Sequence, residues 1–373
     1  MRIAVLSLAD INNYGDAFFP LVLKAELLKR VPDAEIELIT NTEYDCGLYC
    51  TTAYSKEYLS GFDAVILGGG ELISPYDDES FLATYADCGY QGVPSDIAHG
   101  WLDLEKPFKA WFSVGAHPVL YDYPSHVDIA LSSLDYLCVR GTISKKVLER
   151  YLHINDGSIK VIPDLGWLFS RYIDEYVSTA NIISDEARGQ EYIAFEAIDD
   201  LDIDANAAMI AETLVSFQES TGVKAVLTPI IITKNQWSEM AALEKIYNAS
   251  EGLLTLLPQS SNVLDAGAAL RNAKFFVGSS LHGAVTLLSY GKPAVNIRSG
   301  INTKLQDLHA ARFRSTCFAN GWDVLPGVLE RLNNEADNEI DRKYALMYAE
   351  YMRYRLDREI DNLAASIKRH VSV

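Results

Sequence analysis

The run Gly278-Ser279-Ser280-Leu281-His282-Gly283 carries the densest set of reactive side chains in the sequence. It follows the strand-like Phe275–Val277 and opens a helical pattern over Leu281–Tyr290. A histidine in a helix's first turn lies among unpaired N–H groups, and its ordinary pKa suits it to moving protons near neutral pH. One reading of His282 is therefore a general acid or base, with Ser279 and Ser280 contacting a ligand. A core or capping histidine is the other. The surrounding charge favours the first. From Ala266 to Gln306 there is no Asp or Glu, yet Arg271, Lys274, Lys292, Arg298 and Lys304 all fall there. Five cations without an acid, inside a 373-residue chain of net charge −19, form a local basic island suited to a compact anion.

Other strand ends carry further candidates. Asn13-Tyr14-Gly15-Asp16 enters a helix, where Gly15 permits a tight turn and exposed N–H groups can hold an anion; Asp16 can equally decorate the helix start. Gly68-Gly69-Gly70 lets backbone approach a ligand, or simply makes a turn. It lacks the spacing of a dinucleotide fingerprint. His117 follows a fourth strand as a candidate contact or an inert loop residue. Arg140, at a strand end before a helix, suits carboxylate or phosphate, or a surface ion pair. Asp164 follows a sixth strand as an acid/base candidate or a turn-holder.

These residues need strands to place them, and the sequence supplies two sets. Ile3–Leu8, Glu35–Thr40, Ala64–Leu67, Ala110–Val114, Leu137–Val139 and Lys160–Ile162 are short and apolar, as buried parallel strands are. Helical patterns over Asp16–Arg30, Ser125–Leu134 and Thr142–Tyr151 lie between them. A polar stretch at 171–190 interrupts the alternation. It resumes with strands at Tyr192–Phe195, Ala225–Leu227, Leu253–Leu257, Phe275–Val277 and Ala294–Ile297. Helices are expected there at Ala205–Ser220, Trp237–Ala249, Asn262–Arg271 and Leu281–Tyr290. The alternation predicts an α/β fold of two Rossmann-like domains, 1–175 and 190–330, facing across a cleft. A long amphipathic helix within 335–373 is expected to pack back toward the first.

Composition excludes several classes. The acidic balance of 32 Lys and Arg against 51 Asp and Glu argues against nucleic acid or anionic lipid as partner. No apolar run reaches the ~18–20 residues that span a bilayer. The opening apolar run reads as a strand rather than a signal peptide, and five cysteines do not form a disulfide framework, so a cytoplasmic protein is expected. No His, Cys and carboxylate cluster stands at metal-ligand spacing, so no metal is expected.

Taken in order, Asn13-Tyr14-Gly15-Asp16, Gly68-Gly69-Gly70, Ser113-Val114-Gly115-Ala116, Val139-Arg140, Pro163-Asp164 and Ser280-Leu281-His282-Gly283 resemble the polysaccharide pyruvyl transferase family. The likeness runs from the first strand to about Lys304. It implies a two-domain fold like that of GT-B glycosyltransferases. It also implies transfer of the pyruvyl unit of phosphoenolpyruvate to a sugar of a cell-surface polysaccharide or its precursor, usually as a cyclic ketal. No cofactor beyond that donor is implied. His282 would match the essential histidine, Arg140 the strand-end arginine and Lys304 a lysine of the final βα segment. Many members carry Arg where this chain has Ser280, and an acidic residue at Gly141; Arg298 could stand in for the first.

The expected division of labour follows. His282 moves protons, and Arg140, Arg298 and Lys304 bind the donor's two anions. Asp16 and Asp164 orient the acceptor or His282. Two other classes fit the same strand-end pattern: a GT-B-like glycosyltransferase or sugar epimerase using a nucleotide sugar, and a non-catalytic carbohydrate-binding assembly protein. The sequence leaves the oligomeric state open.

Overall fold

A computed structural model of the chain describes residues 1–11, 13–45, 47–71, 92–116, 133–151, 157–176, 189–198, 201–230, 239–258, 263–298, 303–309 and 318–372. These form two compact units, one of residues 1–165 with 352–373 and one of residues 166–351.

The strands of the first unit are Arg2–Leu6 (β1), Glu35–Thr40 (β2), Thr52–Ala53 (β3), Ala64–Gly68 (β4), Phe108–Val114 (β5), Tyr136–Val139 (β6) and Lys160–Val161 (β7). Its helices are Tyr14–Arg30 (α1), Lys56–Leu59 (α2), Pro94–Ala98 (α3) and Thr142–Tyr151 (α4). The strands pair in the order β3-β2-β1-β4-β5-β6-β7, and every pairing is parallel. Strands buried on both faces must be apolar throughout, and Val65, Ile66, Leu67, Trp111 and Phe112 bury at or near completeness. The expected helix Ser125–Leu134 lies almost wholly outside the described residues. Strand β3 and helix α2, too short to show a period, were not legible in the sequence.

The second unit repeats the plan. Phe169–Tyr176 (α5) precedes Tyr192–Phe195 (β8), Leu201–Thr221 (α6), Lys224–Leu227 (β9), Glu239–Ala249 (α7), Thr255–Leu256 (β10) and Val263–Asn272 (α8). Phe276–Gly278 (β11), Leu281–Ser289 (α9), Ala294–Ile297 (β12), Thr303–His309 (α10), Phe318–Ala319 (β13) and Leu325–Asp337 (α11) follow. The sheet order is β10-β9-β8-β11-β12-β13, again parallel. Phe195, Phe275, Val277, Ile210, Leu214 and Trp322 fill its core. The division falls at Leu165, ahead of the polar stretch that begins at Arg171. The reason is α5: its Phe169, Tyr172 and Ile173 are buried, and the helix packs on α8 and α9.

The last helix, Glu339–Val371 (α12), serves both units along its length. From Met352 on it belongs to the first. Leu356, Ile360, Leu363 and Ile367 recur at helical spacing and are fully buried. Around that stripe Arg30 pairs with Asp357 at 3.4 Å and Asp361 at 2.6 Å, and Lys160 pairs with Glu359 at 2.8 Å. Among the described residues no helix is long and apolar enough to cross a membrane.

Candidate active site

In each sheet the strand order reverses once, between β1 and β4 and between β8 and β11. Open α/β sheets bind ligands outside the carboxyl ends of the strands at such a point. In the second unit the residues there are Glu196, one past β8, and the Ser279–Gly283 run past β11.

Glu196 organises that run. It is fully buried, and its Oε1 accepts from Ser279 Oγ at 2.9 Å while its Oε2 accepts from the Ser280 amide at 2.6 Å. Gly278 must be glycine, because a Cβ there would lie 2.6 Å from the Glu196 carbonyl and 2.7 Å from its Oε2. From the other side Asn296, buried in β12, donates to the carbonyls of Gly278 at 3.1 Å and Ser280 at 2.8 Å. Ser280 then caps α9, its Oγ accepting from the Gly283 amide at 3.2 Å. Its side chain is committed to ending the helix. Both donors to Glu196 favour its ionised form, as does the charge of Arg298, but burial outweighs them and raises its pKa.

His282 thus occupies the first turn of a helix whose start is held on two sides. Its Nε2 is shielded from solvent, its ring lies 6.4 Å from that of Phe169, and its carbonyl accepts from Thr286 Oγ1 at 2.7 Å. A titratable ring fixed beside helix N–H dipoles can exchange a proton with a bound group without reorganising.

The basic island does not survive as one patch. Arg271 pairs with Asp174 at 2.6 Å. Lys274 bridges Glu191 at 3.2 Å and Asp337 at 2.8 Å. Lys292 points at the carbonyls of Arg271 and Ala273, the latter 2.7 Å away, and burial lowers its pKa to about 8. Three of the five cations therefore hold structure, Arg271 and Lys274 through acids from outside the window and Lys292 through backbone carbonyls. Arg298, at the end of β12, acts electrostatically on Glu196, and Lys304 is half-buried in α10.

The first unit gathers a different set. Arg140 is buried, its Nη1 3.2 Å from Asp164 and its Nη2 3.5 Å from Glu71. Its guanidinium lies against Gly115, where a Cβ would sit 2.7 Å from Nε. Ser113, at a bulge in β5 with φ of 61°, accepts from the Leu165 amide at 3.1 Å and donates to the Pro163 carbonyl at 3.2 Å, fixing the loop that carries Asp164. Gly69 and Gly70 take positive φ, and Gly15 and Asp16 lie in the first turn of α1 behind the cap Asn13. Arg140 is thus matched by two carboxylates, and the trio is not by itself an anion site. His117 lies outside the described residues. Glu196 and Glu71 were missed by sequence reasoning. The signal for Glu196 was its place just past the first strand of the second set.

The fold is GT-B-like, with two parallel α/β units and a long C-terminal helix. A UDP-N-acetylglucosamine 2-epimerase from Neisseria meningitidis, bound to UDP-GlcNAc, matches with TM-score 0.56 and 11% identity, over 94% of this chain and 99% of that one. A glycosyltransferase from Rickettsia africae matches with TM-score 0.54 and 11% identity, over 98% of both chains. A Listeria monocytogenes protein described as a UDP-N-acetylglucosamine 2-epimerase gives 0.61 and 13%, over 100% of this chain and 96% of that one. Comparison with curated protein sequences finds no match. A profile of the polysaccharide pyruvyl transferase family matches residues 13–300, and the chain belongs to that family, a family of transferases.

Proposed function

We propose that the protein transfers the pyruvyl unit of phosphoenolpyruvate to a sugar of a cell-surface polysaccharide or its precursor, forming a ketal. The observation that carries this reading is His282, set at the switch point of the second sheet in a helix start fixed by Glu196 and Asn296. In the reaction a proton is added to the methylene carbon of the enol. A sugar hydroxyl bonds to the adjacent carbon and gives up its proton. The carbon–oxygen bond to phosphate then breaks, and a second hydroxyl closes the ring. Donor and diol thus become ketal and inorganic phosphate, with protons conserved. His282 is suited to deliver the first proton and take back one from a hydroxyl.

Arg298 and Lys304 take the donor's anions in this reading, joined by the amides at the α9 start. Arg140 acts by way of Asp164 and Glu71, which hold it at the strand ends. Asp16 orients the acceptor. The chemistry is assigned to side chains alone, with no metal or further cofactor, and a cytoplasmic setting suits a donor of this kind.

The fold neighbours favour one second reading, a nucleotide-sugar enzyme, since one of them binds UDP-GlcNAc. A ribose is commonly held by a free carboxylate. Glu196, the buried carboxylate at this site, is engaged by Ser279 and Ser280, which favours the smaller anionic donor. The test is thermal stabilisation by each donor. A ligand bound only by the native state adds RT ln(1 + [L]/Kd). Phosphoenolpyruvate at millimolar concentration should raise the melting temperature, and UDP sugars should not. The reverse result promotes the second reading.

A further inference from the structure

The exposed face of α12 carries a row that the site does not use. Ile340, Tyr344, Met347 and Tyr351 are 63%, 58%, 55% and 54% exposed. Their spacings of four, three and four are those of the d and a positions of a heptad, and Tyr354 extends the row, also exposed. Scattered exposed apolar residues need no explanation, but four large ones in one heptad register form a seam. The far side of the helix faces the protein, with Ala349 and Met352 buried, and Tyr348, on one flank of the seam, packs edge-on against Trp167 at 5.4 Å. The row therefore points outward.

We propose that this seam pairs with its own copy in a second molecule, antiparallel, to make a homodimer. Charge decides the occupant. Lys343 and Glu350 are exposed and both fall on the flank that adjoins the seam at heptad position g. In an antiparallel pair g meets g of the partner helix. Setting Ile340 against the partner's Tyr351 and Tyr344 against the partner's Met347 brings Lys343 against the partner's Glu350, twice by symmetry. A parallel pair would set Lys343 against position e, which is Tyr348, and gains nothing. An anionic membrane would meet Glu350 on the flank of the seam, in a chain of net charge −19. The seam is short, so a reversible dimer is expected.

The experiment is sedimentation of the full chain between about 1 and 100 µM, a range that brackets micromolar association. A monomer–dimer equilibrium is expected, abolished by Met347→Glu. Lys343→Glu replaces two attractions by two repulsions and should weaken self-association roughly ten-fold, as should Glu350→Lys. The double swap, Lys343→Glu with Glu350→Lys, should restore it. That rescue needs no assumption about folding, since both sites are exposed. A monomer throughout, a dimer indifferent to these variants, or binding to anionic vesicles in place of self-association would overturn the proposal.

Discussion

Glu196 offers the sharpest test of how the site is held. Glu196→Ala leaves the Ser279 hydroxyl and the Ser280 amide without their acceptor inside a closed site. Each such loss costs ~1–3 kcal/mol, and relief of the buried charge offsets part of it, leaving a net cost of about 2–4 kcal/mol. Glu196→Gln behaves differently. Its amide oxygen can accept from Ser280, its NH2 can donate to Ser279 Oγ, and the change at neutral pH should stay within ~1 kcal/mol. The two proteins also separate with pH. Burial raises the native pKa of Glu196 above its ordinary 4.5, so the native state holds the proton more tightly than the unfolded chain. Stability from this group is therefore lost as pH rises from 4.5 through the raised native value, and is fully lost above it. The Gln variant has no such loss, so it should gain on the wild type across that window. Urea melts from pH 4.5 to 8, followed by circular dichroism, measure this. Parallel curves, or a Gln variant that loses ground as pH rises, would refute the reasoning.

Other outcomes follow from the same geometry. His282→Gln should cut turnover by ~10²–10⁴ while the melt stays near wild type, read by phosphate release beside calorimetry. Ser280→Ala removes the α9 cap and should cost about 1 kcal/mol, with Ser280→Asp recovering most of it in the same melts. Gly115→Ala drives a Cβ into the Arg140 guanidinium and should destabilise by ~1–3 kcal/mol, an effect that Asp164→Ala added to it should not simply sum with. Phosphoenolpyruvate's thermal shift should shrink with added salt and in Arg298→Ala or Lys304→Ala, because the contacts are electrostatic.

Much of the fold was legible because buried parallel strands must be apolar from end to end. Ala64-Val65-Ile66-Leu67 and Ala294-Val295-Asn296-Ile297 announce themselves. Strands β3 and β13, two residues each, carry no period at all. Helix α5 sits where the sequence turns polar, because Arg171, Asp174 and Glu175 mark its outer face while Phe169, Tyr172 and Ile173 face the core. At the site, His282 and its serines could be found from a strand followed by a helix start. Glu196 carried one signal, its place just past a strand, and only the pairing of β8 with β11 ties it to the Ser279–Ser280 turn. The sequence leaves Arg140 open between an anion binder and an ion-pair partner, because Asp164 and Glu71 lie 24 and 69 residues away along the chain. The basic island dissolves for the same reason at Arg271 and Lys274, whose partners Asp174, Glu191 and Asp337 lie outside residues 266–306, while Lys292 turns to backbone carbonyls that no charge pattern reveals.

The central claim is pyruvyl transfer at His282, and one measurement reaches it most directly. The full chain is incubated with phosphoenolpyruvate and a panel of sugars and polysaccharide precursors, and products are read by mass beside released phosphate. The account predicts a sugar heavier by pyruvic acid less water, formed one-for-one with phosphate, and absent with His282→Gln. No such product across the panel, together with turnover of a nucleotide sugar by the same protein, would contradict it.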